Sequence, residues 1–312
     1  MTIWNRRQIL EYGGKAGLLC ICSAPFWAGL LTGCKTTEIF ADVGRTMGVL
    51  DVQQAQSLVR VGGAVARSFE DITPEQEYYI GRTVAAVILT QYRPYQNEAA
   101  NHYINLVGGL TRLASDRPET FGGYHFLILD SDEINAFAAP GGLILVTRGM
   151  LRCCPSEDAV AAVLAHEVGH VQYRHGLQSI SRARITSALT ILATEGAKTL
   201  GGRELAQLTE VFEESISDVV STLVVNGYSR ASEREADRTA VAILDRLGYN
   251  STALEDMLEV MKARLVPGGL DFARTHPSPQ TRIANIQGLL PRVRPTQSAV
   301  RHQRFQQALA HI

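Results

Sequence analysis

The stretch Ala159 to His175, AVAAVLAHEVGHVQYRH, constrains this chain more than any other. Its apolar residues Val160, Val163, Leu164, Val168 and Val171 recur at three- and four-residue steps, so the spacing predicts an amphipathic helix with one face in a core. Ser156 is the expected N-cap, Glu157 and Asp158 fall in the first turn where the helix dipole favours acids, and Gly176 is the expected left-handed stop. On such a helix His166 and His170 stand one turn apart, about 6 Å along the axis, so both imidazoles reach one metal ion. Glu167 projects beside that ion rather than at it, where it can take a proton from an attacking water, which is the chemistry of a zinc hydrolase. The bland alternative is a surface helix bearing two histidines. So apolar a helix, however, would press two His and a Glu against a core, where unpaired polar groups are costly.

A catalytic zinc needs three protein ligands and an open position. His175 is not at the spacing of a third histidine ligand of the metzincin type, and its expected role is a charge or hydrogen bond at the helix end. Two acidic strings remain, Glu214-Ser215-Ile216-Ser217-Asp218 and Glu233-Arg234-Glu235-Ala236-Asp237, each with a second carboxylate one turn later. In either, the first acid can bind the metal while the second holds a ligand imidazole. Spacing alone does not choose between them.

Upstream of the histidine helix, Thr73 is the expected N-cap and Pro74 the first residue of a helix running to about Tyr92. A second helix is expected from about Gln96 to Ala114. Three short strands follow, Tyr124 to Leu129, Asn135 to Ala138 and Leu143 to Thr147, with Pro140-Gly141-Gly142 as a turn. After Gly176 the chain reads as helical throughout, near Ser179 to Leu200, Glu204 to Val225, Ser232 to Leu247, Thr252 to Arg264 and Ser278 to Leu289. The expected fold is therefore α+β and mostly helical, with a small β-sheet beside the metal helix.

With 30 basic against 31 acidic residues and no long charge run, nothing favours a nucleic-acid partner. Arg6 and Arg7 precede an uncharged stretch from Ala16 to Gly33, read as a signal peptide over residues 1–33. Its end, Leu31-Thr32-Gly33-Cys34, resembles the lipobox of bacterial lipoproteins, which implies cleavage before Cys34 and lipidation of that thiol. The competing reading is an uncleaved transmembrane anchor, which Pro25 disfavours. Arg6-Arg7 within its neighbours also resembles a twin-arginine export signal, and Lys35 in place of Asp points to the outer membrane. Residues 34–72 read as a linker with an irregular helical pattern and 291–312 as a C-terminal tail. Cys153 and Cys154 are adjacent, a poor disulfide geometry, and are expected to pack.

Asn135-Ala136-Phe137, Pro140-Gly141-Gly142, Thr147-Arg148-Gly149, the HEVGH helix ending in Arg174-His175-Gly176, Ser229-Arg230 through Asp237, and Thr275-His276-Pro277 with Arg282-Ile283 occur in that order. Together they resemble the zinc metallopeptidase family of the CAAX prenyl endopeptidase and the HtpX-type proteases, and more narrowly its bacterial periplasmic lipoprotein branch. The resemblance covers roughly residues 73–290. It implies Glu233 as third ligand with Asp237 as its helper, one zinc per chain, Glu167 as the general base, and His276 near the site, stabilising an oxyanion or filling the open zinc position at rest. It also implies an extended substrate pairing with an edge strand, expected to be Leu143, Ile144, Leu145, Val146 and Thr147.

The chain departs from that family in lacking the membrane-spanning helices of the prenyl and heat-shock enzymes, so prenylated substrates are not expected. The function so implied is a zinc endopeptidase of the bacterial envelope, lipid-anchored at the outer membrane and cleaving unfolded or misassembled envelope proteins. The rival is a zinc-stabilised chaperone or assembly factor with little proteolysis, which would have no need of Glu167.

Overall fold

Every residue from Glu157 to Val171 is buried in the computed structural model, so the histidine helix runs through the core instead of lying on it. The model describes residues 72–180, 202–265, 275–291 and 298–312. The expected signal, Cys34, the linker to residue 71 and most of the helix expected near Ser179 to Leu200 lie outside them. The expectation of an amphipathic helix is thus corrected. Ala159, Ala161, Ala162, Ala165 and Gly169 make the face opposite the valines small rather than polar, and neighbours close on it. A Cβ on Gly169 would stand 3.1 Å from Ala236 Cα, so glycine is what admits the helix carrying the acidic string.

The elements in chain order are helices α1 (Pro74–Gln91) and α2 (Glu98–Leu113), strands β1 (His125–Leu129), β2 (Ala136–Ala139) and β3 (Leu143–Thr147), a short α3 (Arg148–Leu151), the histidine helix α4 (Glu157–Gln172) and a single turn α5 (His175–Gln178). Helix α6 (Gly202–Ser221), a π-turn at Thr222–Asn226, α7 (Arg230–Leu247), α8 (Ala253–Arg264), α9 (Pro279–Ile286) and α10 (Ala299–Leu309) follow. Of the described residues, those within 72–179 and 218–312 belong to one compact unit, and 180 with 202–217 to another. No described helix is long and apolar enough to cross a membrane.

Helix α1 starts as its sequence predicts. Thr73 accepts from Gln76 N while the Gln76 side chain accepts from Thr73 N, a capping box with Pro74 in the first turn. Ser156 likewise caps α4 by accepting from Ala159 N. The other end of α4 differs from expectation. The left-handed residue is Arg174, at φ 56°, and Gly176 sits inside α5. Arg174 tolerates that conformation because its guanidinium is tied down, donating to Ile72 O and pairing with the buried Glu77 at 3.1 Å.

The sheet has the order β1-β3-β2, with β1 parallel and β2 antiparallel to β3. Leu145 pairs with Leu127 on one side and Phe137 on the other. The expectation that Leu143, Ile144, Leu145, Val146 and Thr147 form an edge is therefore wrong: both margins of β3 are hydrogen-bonded, and its unbroken apolar run is that of a central strand buried on both faces. The outer margin of β1 is closed by the backbone of Arg93 to Tyr95, with Tyr95 N donating to Ile128 O at 2.8 Å and Asp130 N to Arg93 O at 2.7 Å, and by side chains from α2. Asn101 Oδ1 accepts from Ile128 N at 2.9 Å, and Asn105 both accepts from Phe126 N at 3.1 Å and donates to Phe126 O at 2.6 Å. That leaves β2 as the edge strand, next to α4.

Cys153 and Cys154 are free and buried in the core, in keeping with a packing role. The stretch expected as a tail carries α10, which packs against α4 and α2. Arg304 Nε donates to Glu157 at 2.7 Å and Arg301 pairs with Asp158 at 3.3 Å, both carboxylates lying buried at the start of α4.

Candidate metal centre

Three elements converge beneath β2. Helix α4 carries His166, Glu167 and His170; α7, packed along it, carries Glu233 and Asp237; the segment entering α9 carries His276, and α9 itself Arg282. His166, His170, Glu233 and His276 each offer a ligand atom within 4.8 Å of the others, the only such group of metal-binding side chains among the described residues. Glu233, and not Glu214, is the carboxylate in that group.

His166 Nε2 lies 3.1 Å from His170 Nε2 and 3.7 Å from Glu233 Oε2; His170 Nε2 is 3.4 Å and His276 Nε2 3.7 Å from Glu233 Oε1. Glu233 is 1% exposed, yet neither of its oxygens has a hydrogen-bond partner. A buried carboxylate without a donor is costly, and three imidazole nitrogens converging on it make a nitrogen-and-oxygen donor set suited to a divalent cation. The residues fit a metal.

Their electrostatics agree. Burial and the Arg282 charge lower the His166 pKa, against the pull of Asp237, and push that of His170 down to about 3. Burial and the neighbouring imidazoles take His276 well below its ordinary range. All three rings are neutral near pH 7, with a lone pair to offer. Burial pushes Glu233 up to about 7 and, with the Glu233 charge, Glu167 up to about 8. Asp237 behaves oppositely: burial would raise it, but Arg282 and His166 hold it well below the usual carboxylate range.

Asp237 Oδ1 lies 3.0 Å from His166 Nδ1 and also accepts from Arg282 Nη2, while Arg282 Nε reaches Asp237 Oδ2 at 3.1 Å. Arg282 is 2% exposed. Its role was not visible in the sequence, where it stood only as part of a motif.

This geometry meets its counterpart in a family comparison. The family model described as "Peptidase family M48" matches residues 106–290, more than half of the chain. The chain belongs to peptidase family M48. M48 is a family of metallopeptidases, hydrolases of peptide bonds, and the matched residues span the elements carrying the whole donor cluster.

Among relatives, this M48 chain is 25% identical over 281 residues to the beta-barrel assembly-enhancing protease of Yersinia pestis, covering 87% of the chain and 54% of that protein. It is 29% identical over 199 residues to the protein of the same name from Escherichia coli (strain K12), covering 62% of the chain and 39% of the relative. The mitochondrial metalloendopeptidase OMA1 of Schizosaccharomyces pombe is 33% identical over 159 residues, 50% of the chain and 44% of the relative. The chain thus spans about half, or less, of the length of the curated relatives it matches.

An aromatic neighbour of the M48 site also gave no signal in the sequence. The Tyr228 ring stacks on His170 with centroids 4.2 Å apart and planes 20° apart, and its hydroxyl reaches Ala138 O on β2 at 3.5 Å. Ala136, Ala138, Glu167, Leu223, Tyr228 and His276 line a narrow cavity beside the cluster. Gly227 closes it from below at φ 74°, where a Cβ would fall 2.0 Å from Thr275 O.

Proposed function

We propose that this chain is a zinc endopeptidase of the bacterial envelope, with one zinc per chain held by His166, His170 and Glu233. The observation that carries the reading is the buried, unpartnered Glu233 carboxylate facing two neutral imidazoles, with a second buried carboxyl, Glu167, beside it. Bound there, zinc supplies Lewis acidity, polarising the scissile carbonyl and acidifying the attacking water. Glu167 takes the proton from that water and delivers it to the leaving amine; a carboxyl whose burial lifts its pKa toward neutrality is suited to both halves of the transfer. Asp237, fixed by Arg282, holds His166 from the side away from the metal. His276, whose ring nitrogen lies within the same donor cluster, would serve as a further donor to the metal when no substrate is bound.

The substrate strand pairs with β2 in this reading, in place of the β3 pairing expected from sequence, because β2 is the margin beside Glu167. Main-chain pairing recognises an extended chain whatever its sequence, which suits unfolded proteins. The name carried by the enterobacterial relatives supports substrates among proteins on the way to outer-membrane assembly. We propose further that residues 1–33 are a lipoprotein signal, that Cys34 bears the lipid, that 34–72 link it to a peptidase domain over 73–290, and that the protein faces the periplasm from the outer membrane.

Cleavage of casein and of an unfolded outer-membrane porin by the purified protein, with zinc and with a chelator, tests the activity. Zinc-dependent cleavage is expected; binding of the porin without cleavage at any zinc concentration would replace the peptidase with the chaperone reading.

A further inference from the structure

His175 stands five residues beyond His170, and on an uninterrupted helix the two would be rotated apart by about 140° and would not meet. The left-handed turn at Arg174 ends α4 and folds the chain back, so that His175 Nδ1 comes to 2.9 Å from His170 Nδ1. On its other side His175 Nε2 is 3.1 Å from Glu235 Oε2. His175 is buried at 2% exposure, whereas the Glu235 side chain is 46% exposed, so the series runs from the donor cluster to solvent.

The direction of the protons along it follows from chemistry. An ionised carboxylate only accepts. Glu235 therefore requires the His175 proton on Nε2, which leaves Nδ1 of that ring with a lone pair. Two nitrogens at 2.9 Å need one proton between them, so His170 carries it on Nδ1 and donates. Its Nε2, the atom facing His166 and Glu233, is then bare. The reverse assignment would set a lone pair of His175 against the Glu235 carboxylate and aim a proton from His170 into the cluster.

We propose that His175 and Glu235 are positioning residues that fix the tautomer and orientation of His170, so that its Nε2 lone pair is presented to the metal before the metal arrives. The proposal rests on the reading of His170 as a ligand. It gives the two ligand imidazoles separate supports: His166 leans on a buried, arginine-locked aspartate, and His170 on a neutral histidine whose far side is anchored by a solvent-facing glutamate. The sequence places Glu233, Glu235 and Asp237 in one short string, and each then serves a different partner.

The experiment measures zinc affinity by competition with a chromogenic chelator in the full-length protein, together with the melting temperature of the metal-free form. Loss of such an outer partner typically weakens metal binding about 10–100-fold. His175→Ala and Glu235→Leu are each expected to weaken zinc within that range. His175→Gln, which keeps an acceptor toward His170 and a donor toward Glu235, is expected to retain most of the affinity. Glu235 lies at the surface, so Glu235→Leu keeps the test decisive if His175→Ala fails to fold. His170→Ala separates the two layers of argument: if it binds zinc as the wild type does, the ligand reading fails. If it loses zinc while His175→Ala and Glu235→Leu bind at wild-type strength, the positioning proposal is overturned and the ligand reading stands. A fall in metal-free melting temperature with unchanged zinc affinity would likewise overturn it, assigning His175 to packing alone.

Discussion

Replacing Arg282 with Met removes, among the described residues, the one arginine or lysine paired with Asp237, a carboxylate that is itself 1% exposed. Both partners are buried, so solvent screening gives no relief, and breaking a buried ion pair by deleting one member typically costs about 3–5 kcal/mol. In a domain of this size each kcal/mol lowers the melting temperature by about 2–4 °C, which gives an expected loss of roughly 6–20 °C for Arg282→Met. The assay is thermal and urea denaturation of the metal-free protein, so that metal binding does not contribute to the difference. A second arm removes both charges: Arg282→Met with Asp237→Leu leaves neither member of the pair buried alone and is expected to recover much of the loss, since apolar replacements of a buried pair are often neutral. The pH dependence has a definite sign. The folded Asp237 carboxyl is held below its unfolded value, so its contribution is present above the ordinary carboxylate range and disappears as pH falls through the folded value. Without Arg282 the carboxyl protonates more readily, and the deficit of the variant shrinks in acid. A single substitution costing less than about 1 kcal/mol, or a double variant less stable than the single, would refute the account of Arg282 as the partner that makes a buried Asp237 tolerable.

Glu167 and Glu233 titrate the other way. Their folded values, about 8 and about 7, lie above those of free carboxyls, so their contribution to the metal-free fold is full below about pH 4.5 and is lost as pH rises from there through 7 to 8; denaturant midpoints across that range, compared with Glu167→Gln, check it, and a profile that the substitution leaves unchanged would contradict it. Glu167→Gln is expected to keep zinc binding and slow peptide hydrolysis by about 100- to 10,000-fold, read from metal content and single-turnover cleavage. Glu233→Ala is expected to lose zinc and Glu214→Ala to keep it; metal analysis returning the opposite pattern would reassign the third ligand. Cys34→Ser is expected to abolish lipidation and membrane attachment, and an unlipidated wild-type N-terminus by mass spectrometry would defeat that reading.

The histidine helix, its cap at Ser156 and the capping box at Thr73 were legible because they rest on residues close in sequence. Strand positions were legible too, but strand order was not: Leu143 to Thr147 has the same apolar run whether it is central or at a margin, and only the return of β2 and β1 to either side decides. Glu214-to-Asp218 and Glu233-to-Asp237 share one spacing, so local pattern could not separate them, whereas the close approach of α7 along Gly169 brings only the second beside the histidines. The left-handed turn at Arg174 escaped notice because glycine is the usual occupant and Gly176 stood nearby. Helix α10 was missed because its meaning lies in Arg301 and Arg304 meeting carboxylates more than a hundred residues away.

Asn101 and Asn105 give the sheet a polarity of growth. A strand margin with free amides and carbonyls invites any extended chain, including another copy of the same protein. By turning two side-chain amides and a short backbone bridge at Arg93 to Tyr95 onto β1, the molecule makes one flank inert without adding a fourth strand. Whatever joins this sheet must then do so along β2, where Tyr228 already touches Ala138 and where Glu167 is within the same cavity.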